Sequence, residues 1–338
     1  MVAIAPFRAL RYSPDVTGDF GRVIAPPYDV ISPEQQDQLY AASPFNVVRV
    51  ILAKEEPGVD RYARARETFE GWRRQHVLVR DEAPSLYVCE HSFQWEGQTR
   101  RRMGLLSLLQ FDGSLPDGVL RHEATFDGPK ADRTKLLDTV RAHLSPVFCI
   151  VPDAERQLEE WMRVACQVPP VASATVPFRT AGGGNGAAEA VRVWKVSDPQ
   201  RLAQAQRVLA PAKALIADGH HRFGAALARR ELCPAVLTYF SRAEDPGLIV
   251  RPYHRILGRG GSPPAVLEQV FRLEPVADLA ALQAQLMQRQ GPGWFGLSNG
   301  HIHQVAQVRP ERLAAWLAKP AVPSILAALD VSILHHLV

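Results

Sequence analysis

The sequence lacks several features that would place it in a class at once. It has only four cysteines in 338 residues: Cys89, Cys149, Cys166 and Cys233. No two of them form a C-x-x-C pair, so neither a disulfide framework nor a cysteine zinc site is indicated. Cys89 and Cys149 sit in apolar, strand-like runs, where a buried thiol is the ordinary role. No apolar stretch approaches the ~18 residues that a membrane span needs. Residues 1–8 have no basic segment followed by an apolar one, so they do not read as a secretory signal. The expectation is a cytoplasmic protein with no membrane partner. Neither sign of charge is in large excess, with 39 Lys and Arg against 35 Asp and Glu and a net charge of +4. A mild excess without a basic stripe argues against nucleic acid as a partner. Arg100-Arg101-Arg102 is the nearest thing to a run and reads as a solvated face. There is no H-E-x-x-H and no G-x-S-x-G, so a zincin or a classical serine hydrolase is not indicated. No internal repeat is present.

What remains is ordinary globular composition: 46% apolar and 22% charged residues, in a chain long enough for one large domain or two smaller ones. The Pro-Pro pair in Ala25-Pro26-Pro27-Tyr28-Asp29-Val30 excludes helix and predicts a rigid turn. Ser32-Pro33-Glu34 predicts a helix start, with Ser as N-cap and Pro at N1, and the helix runs to about Ala42. The β-branched residues 46–52 predict a strand. Residues 58–77 predict a helix with Tyr62, Ala65, Phe69 and Trp72 on one stripe. A hairpin is expected from 85–94 and 101–111, turning at Trp95-Glu96-Gly97-Gln98. Further helices are expected at 131–143, 153–166 and 197–209, and strands at 146–151, 191–196, 213–217, 235–241 and 249–257. The final residues, 325–338, read as a helix. Gly182-Gly183-Gly184-Asn185-Gly186 lacks the Lys-Ser/Thr of a phosphate-binding loop and reads as a connector. Strands and helices without strict alternation favour α+β with a mixed sheet. The expected division is a main domain over 1–258 and a smaller C-terminal α/β segment over 259–338.

The densest chemistry lies at Asp218-Gly219-His220-His221-Arg222. A strand, a glycine turn and a helix N-terminus in succession make a ready anion site. Gly219 lets backbone approach a ligand. Asp218 can bind Mg²⁺ or take a proton from an attacking hydroxyl. His220 can shuttle a proton, with His221 beside it, and Arg222 offers the planar fork that suits phosphate. The bland alternative is an Asp cap with surface histidines. A second cluster holds Arg121, His122, Glu123, Lys130, Asp132 and Arg133, which a salt-bridged surface loop would equally explain. His254 and Arg255 follow at a strand end. His301 and His303 on one strand face are a weak candidate for metal.

At these residues the chain resembles the bacterial and archaeal family called domain of unknown function 1015. The resemblance is carried by residues 4–10, Ala25 to Val30, His122-Glu123, Lys130 to Arg133, Ser145-Pro146-Val147-Phe148, Ile216 to Arg222, Tyr239-Phe240, Pro246-Gly247-Leu248 and His254-Arg255. Its Asp-Gly-His-x-Arg turn is similar to that of archaeal free-serine kinases, which have a ParB/sulfiredoxin-like fold. This second resemblance implies a nucleotide-dependent kinase acting on a small hydroxyl metabolite such as serine, with ATP or ADP and Mg²⁺ as cofactors. It implies catalytic roles for Asp218 and His220 and for an upstream Glu, with Glu34 and Glu123 as candidates. Members of the family tend to be encoded beside serine-biosynthesis enzymes, which fits serine or phosphoserine. The candidate set is therefore Asp218, His220, His221 and Glu123 for catalysis. Gly219, Arg222, His122, Lys130, Arg133, His254, Arg255 and Asp29 are the candidates for substrate or phosphate. The same residues serve a phosphatase of a small phosphorylated metabolite. A ParB-like nucleotide-binding regulator is the rival from another class, and a homodimer is the candidate assembly. The family pattern continues past the equivalent of His336, so the resemblance implies a C-terminal segment truncated relative to the family.

Overall fold

A computed structural model of the chain describes residues 1–111, 118–121, 127–176, 189–249 and 265–318. The chain forms two compact units, Met1–Leu120 with Thr125–Val250, and Arg121–Ala124 with Arg251–Val338.

The first unit opens with short strands β1 (Ile4–Ala5) and β2 (Leu10–Tyr12) and a single helical turn α1 (Pro14–Thr17). Helix α2 (Pro33–Ala42) follows, with a capping box at its start. Ser32 accepts from the Gln35 amide, and the Gln35 side chain returns to the Ser32 amide. Residues 46–52, expected as a strand, instead contain the short helix α3 (Val48–Ile51). The reason is Asn46. Its amide donates to the carbonyls of Arg22 and Ile24, both at 2.9 Å, and its carbonyl accepts from Val48 N at 3.0 Å. That cap turns the chain, and burial of Val48, Val50 and Ile51 outweighs their β preference. Helix α4 (Arg61–Arg74) buries Ala65, Phe69 and Trp72, as the stripe predicted. These residues pack with Leu136 and Val140 of α5 (Asp127–Val140) into a helical core.

The remaining strands are β3 (Leu78–Arg80), which pairs with β2, then β4 (Leu86–Trp95), β5 (Gln98–Gln110), β6 (Val119–Leu120), β7 (Val147–Val151), β8 (Ala172–Val176), β9 (Glu189–Val196), β10 (Ala214–Asp218) and β11 (Ala235–Arg242). The expected hairpin is β4–β5. Its turn residues Glu96 and Gly97 both have positive φ, 49° and 75°, the signature of a primed turn. The large sheet runs β6-β10-β7-β11-β5-β4-β9-β8, with β1 added along β5. β6–β10 and β7–β11 are parallel, and the other pairs are antiparallel. The sheet is therefore mixed and accompanied by helices, as the α+β expectation with a mixed sheet required.

Strand alternation divides the sheet into two unlike faces. One carries Leu86, Val88, Leu105, Leu109, Val147, Cys149, Trp194, Ile216 and Phe240. Helices α6 (Gln157–Ala165), α7 (Pro199–Leu209) and α8 (His220–Ala228) contribute Leu158, Trp161, Met162, Leu209, Phe223 and Ala226 to the same core. On α8 the inward residues are Phe223, Ala225 and Ala226, with Leu227 partly buried against the same core and Ala228 exposed. The other sheet face carries Tyr87, Cys89, His91, Arg100, Arg102, Phe148 and Tyr239. Gly104 is needed there because a side chain would run into the Tyr239 ring, its Cβ only 2.2 Å from Tyr239 Cζ.

The second unit holds α9 (Ala265–Val270), β12 (Phe271–Val276), α10 (Leu279–Gln288), β13 (Trp294–Ser298), β14 (His303–Val308) and α11 (Pro310–Ala318). Its antiparallel sheet, ordered β12-β14-β13, shares a core of Leu267, Phe271, Val308 and Trp316 with the helices. His301 does not lie on a strand beside His303. Its amide donates to Asn299 Oδ1 at 3.0 Å in the turn before β14, while His303 Nδ1 lies 3.0 Å from Ser298 Oγ. The strand expected at 249–257, the helix at 325–338 and the Gly182–Gly186 connector fall outside the described residues.

Candidate functional site

The apolar run Ala214-Leu215-Ile216-Ala217 forms β10 between β6 and β7. Its register against β7 shifts between Ile216 and Asp218, so Asp218 stands opposite Phe148. The chain then reverses through Gly219, at φ 91° and ψ 27°, directly into α8. Two features favour glycine there. The φ is left-handed, and an added Cβ would stand 3.1 Å from the Arg222 guanidinium. Asp218 ends half-exposed at the strand tip, beside the first turn of a nine-residue helix whose leading N–H groups have no partner inside the helix.

Arg222 reaches back one helical turn. It donates to the Asp218 carboxylate and to the Pro146 carbonyl. The guanidinium thus ties the strand end, the helix start and the loop before β7 into one unit. The fork expected to hold phosphate is engaged by protein groups, and its charge acts on the site through Asp218. His220 is buried, whereas His221 is half-buried.

Arg222 also lines a small cavity of about 50 Å³ together with Tyr28, Arg133, His143 and Ser145. That volume has room for a few water molecules and not for a metabolite. The Pro-Pro-Tyr-Asp turn, the start of α5 and the loop before β7 therefore meet beside the glycine turn. The Arg133 guanidinium lies 3.8 Å from the centre of the Tyr28 ring, a cation–π contact. Arg133 is held by Asp132, whose Oδ2 accepts from its Nε at 2.6 Å, and by the Ile51 carbonyl at 3.2 Å. Asp132 is itself held by Arg61 at 2.6 Å and the Tyr62 hydroxyl at 2.7 Å. Burial pushes the Asp132 carboxyl up, but Tyr62, Arg133 and Arg61 together hold it below its ordinary range. Burial pushes the Tyr28 phenol up, partly offset by Arg133. Burial also lowers the pKa of His143, opposed by its hydrogen bond with the Ala235 carbonyl at 3.1 Å.

Other expected residues lie elsewhere. Asp29 is exposed beside Tyr28. Lys130 lines a separate depression with Thr134, Lys135, Asp138 and Arg229. Glu34 sits exposed in the first turn of α2, where its carboxylate accepts from Ser32 Oγ at 2.7 Å and serves the cap. His122, Glu123, His254 and Arg255 fall outside the described residues. Tyr28 and His143 were not among the candidates, and Asp132 was named in the second cluster without a role in the site. Tyr28 and Asp132 stand within the family-like segments, next to residues that were chosen, and that adjacency was the available signal. Among the described residues there is no cluster of three or more His, Cys, Asp or Glu side chains able to hold a metal.

Fold and turn together define a mixed α/β protein with a strand–glycine–helix turn at Asp218–Arg222. The chain belongs to the family described as "Protein of unknown function (DUF1015)", whose model matches residues 4–332. No curated protein and no solved structure matches it. Among the described residues no helix is long and apolar enough to cross a membrane.

Proposed function

We propose that this protein is a phosphotransferase acting on a small hydroxyl metabolite, with free serine as the first substrate to test and ATP or ADP as the donor. The observation that carries the reading is Asp218: a half-exposed carboxylate at a strand tip, fixed by Arg222 at the mouth of a helix N-terminus. Phosphoryl transfer asks the protein mainly for positioning and charge neutralisation. Asp218 would accept the proton of the attacking hydroxyl. The N-terminal end of α8 turns the positive end of its dipole toward Asp218. Asp218 is alternatively the residue that would hold Mg²⁺, whose charge would offset that of the transferring group. His221 is better exposed than His220 to meet a ligand, and buried His220 would brace the turn. The likeness of the turn to free-serine kinases of ParB/sulfiredoxin-like fold supports the same reading.

The test is to incubate the purified protein and Mg²⁺ with serine and ATP, ADP or pyrophosphate, and separately with phosphoserine alone, following phosphorus by NMR. Phosphoserine formed by the wild type and not by Asp218→Asn supports the kinase. Release of phosphate from phosphoserine without donor makes the protein a phosphatase. Nucleotide binding without turnover in any mixture overturns both and favours a regulator.

A further inference from the structure

Arg100-Arg101-Arg102 was expected to be a solvated face. Only Arg101 behaves so, with its side chain 68% exposed and 3.8 Å from Glu90. The alternation of β5 puts Arg100 and Arg102 on the other face, opposite Phe93 and His91 of β4. Both are partly buried, and the Nε of each is buried with no hydrogen-bond partner among the described residues. Neither makes an ion pair there. Glu189, an acid on that face, is engaged with His91 at 2.9 Å. Arg102 lies 5.2 Å from the centre of the Phe148 ring, which meets the Tyr239 ring edge-on at 5.3 Å. Phe148 is the cross-strand neighbour of Asp218.

A buried cationic donor without an acceptor is costly, and such groups in a native fold call for a partner. Arg102 also hydrogen-bonds the Tyr239 side chain, so its unpartnered donor is Nε, as at Arg100. Two guanidinium groups on one sheet face, each with a buried Nε lacking an acceptor and one leaning toward the strand that borders Asp218, complement an extended oxyanion. The planar fork matches phosphate in particular. We propose that Arg100 and Arg102 form a second oxyanion site on the sheet face, which takes the polyphosphate chain of the donor. This rests on the kinase reading for the word donor, whereas the anion site stands on the arginines alone.

The experiment is titration calorimetry of pyrophosphate, ADP and ATP against the full chain and its Arg102→Gln, Arg100→Gln and Arg101→Gln variants, without added Mg²⁺, with circular dichroism confirming fold. Wild type and Arg101→Gln should bind alike, while Arg102→Gln and Arg100→Gln should each weaken binding at least tenfold. Arg102→Lys, which keeps the charge and loses the fork, should fall between and serves if the Gln variant does not fold. Equal binding by pyrophosphate and the nucleotides assigns the site to the phosphate chain alone. Tighter nucleotide binding adds contact with the nucleoside. Unchanged binding in the folded Arg102 variants, or no polyphosphate binding by the wild type, overturns the proposal. If the arginine variants lose binding but the wild type transfers no phosphate, the site stands and the kinase reading fails. If the wild type transfers phosphate and Arg102→Gln keeps its donor KM, the kinase stands and the site fails.

Discussion

The two faces of the large sheet use the same strands and backbone and differ in almost every side chain. One is Leu, Val, Ile and Trp beneath three helices. The other carries buried Tyr87 and the half-buried Cys89, His91, Arg100, Arg102, Phe148 and Tyr239, crosses from Arg102 to Phe148, and borders Asp218. An apolar face is explained by folding alone, because burial of that kind is its main driving force. A face that partly buries cations and a histidine needs a further reason. The difference therefore separates the residues that hold the fold from those available for chemistry, and substitutions on the two sides should fail in different ways.

The largest expected effect is at the edge where the unlike face meets the turn. Asp218→Asn should lower phosphate transfer about a thousandfold, within the range for loss of a general base, with the thermal midpoint nearly unchanged. A large fall in stability would make Asp218 a structural cap instead. On the core face, Phe240→Ala should cost about 3–5 kcal/mol in urea unfolding, whereas half-buried Phe148→Ala should cost less than half of that. Equal losses would erase the distinction between the faces.

The Asp81 network tests the polar side by pH. Asp81 accepts from Arg11 Nε at 3.1 Å and from the Tyr87 hydroxyl, with Lys195 at 3.6 Å. Burial raises its carboxyl, but Arg11, Tyr87 and Lys195 outweigh burial and hold it below the ordinary range. A depressed carboxyl contributes stability above its unfolded value near 3.9 and loses it as pH falls through the lower folded value. Asp81→Asn should therefore cost about 2 kcal/mol at neutral pH, reduced from the figure for a fully buried pair because Arg11 is partly exposed. The gap to the wild type should close in acid. A gap that stayed constant with pH would assign the loss to packing. The smallest effect is Gly219→Ala, about 1–2 kcal/mol from the left-handed backbone, accompanied by lower activity as Arg222 is pushed from Asp218.

Much of this frame was legible in residue order. Ser32 with Gln35, the stripe Ala65-Phe69-Trp72 and the Glu96-Gly97 turn are local signals, and the structure follows them. Residues 46–52 misled because Asn46 finds its partners at Arg22 and Ile24, over twenty residues away. At the site, the glycine turn was readable because its residues are contiguous. The Arg133–Tyr28 stack and the tie from Arg222 to Pro146 join residues some 76 to 105 positions apart, and no spacing rule reaches that far. The arginine run misled for a different reason: the local pattern cannot say which sheet face a two-residue period will bury.

The central claim is that Asp218 performs chemistry and does not merely cap a helix. Its most direct test is the initial rate of phosphate transfer to serine by wild type and Asp218→Asn at equal concentrations of folded protein. The account predicts measurable transfer by the wild type and a rate about a thousandfold lower in the variant, as loss of a general base allows. Equal rates in the two proteins, or no transfer by the wild type from any donor, would contradict it.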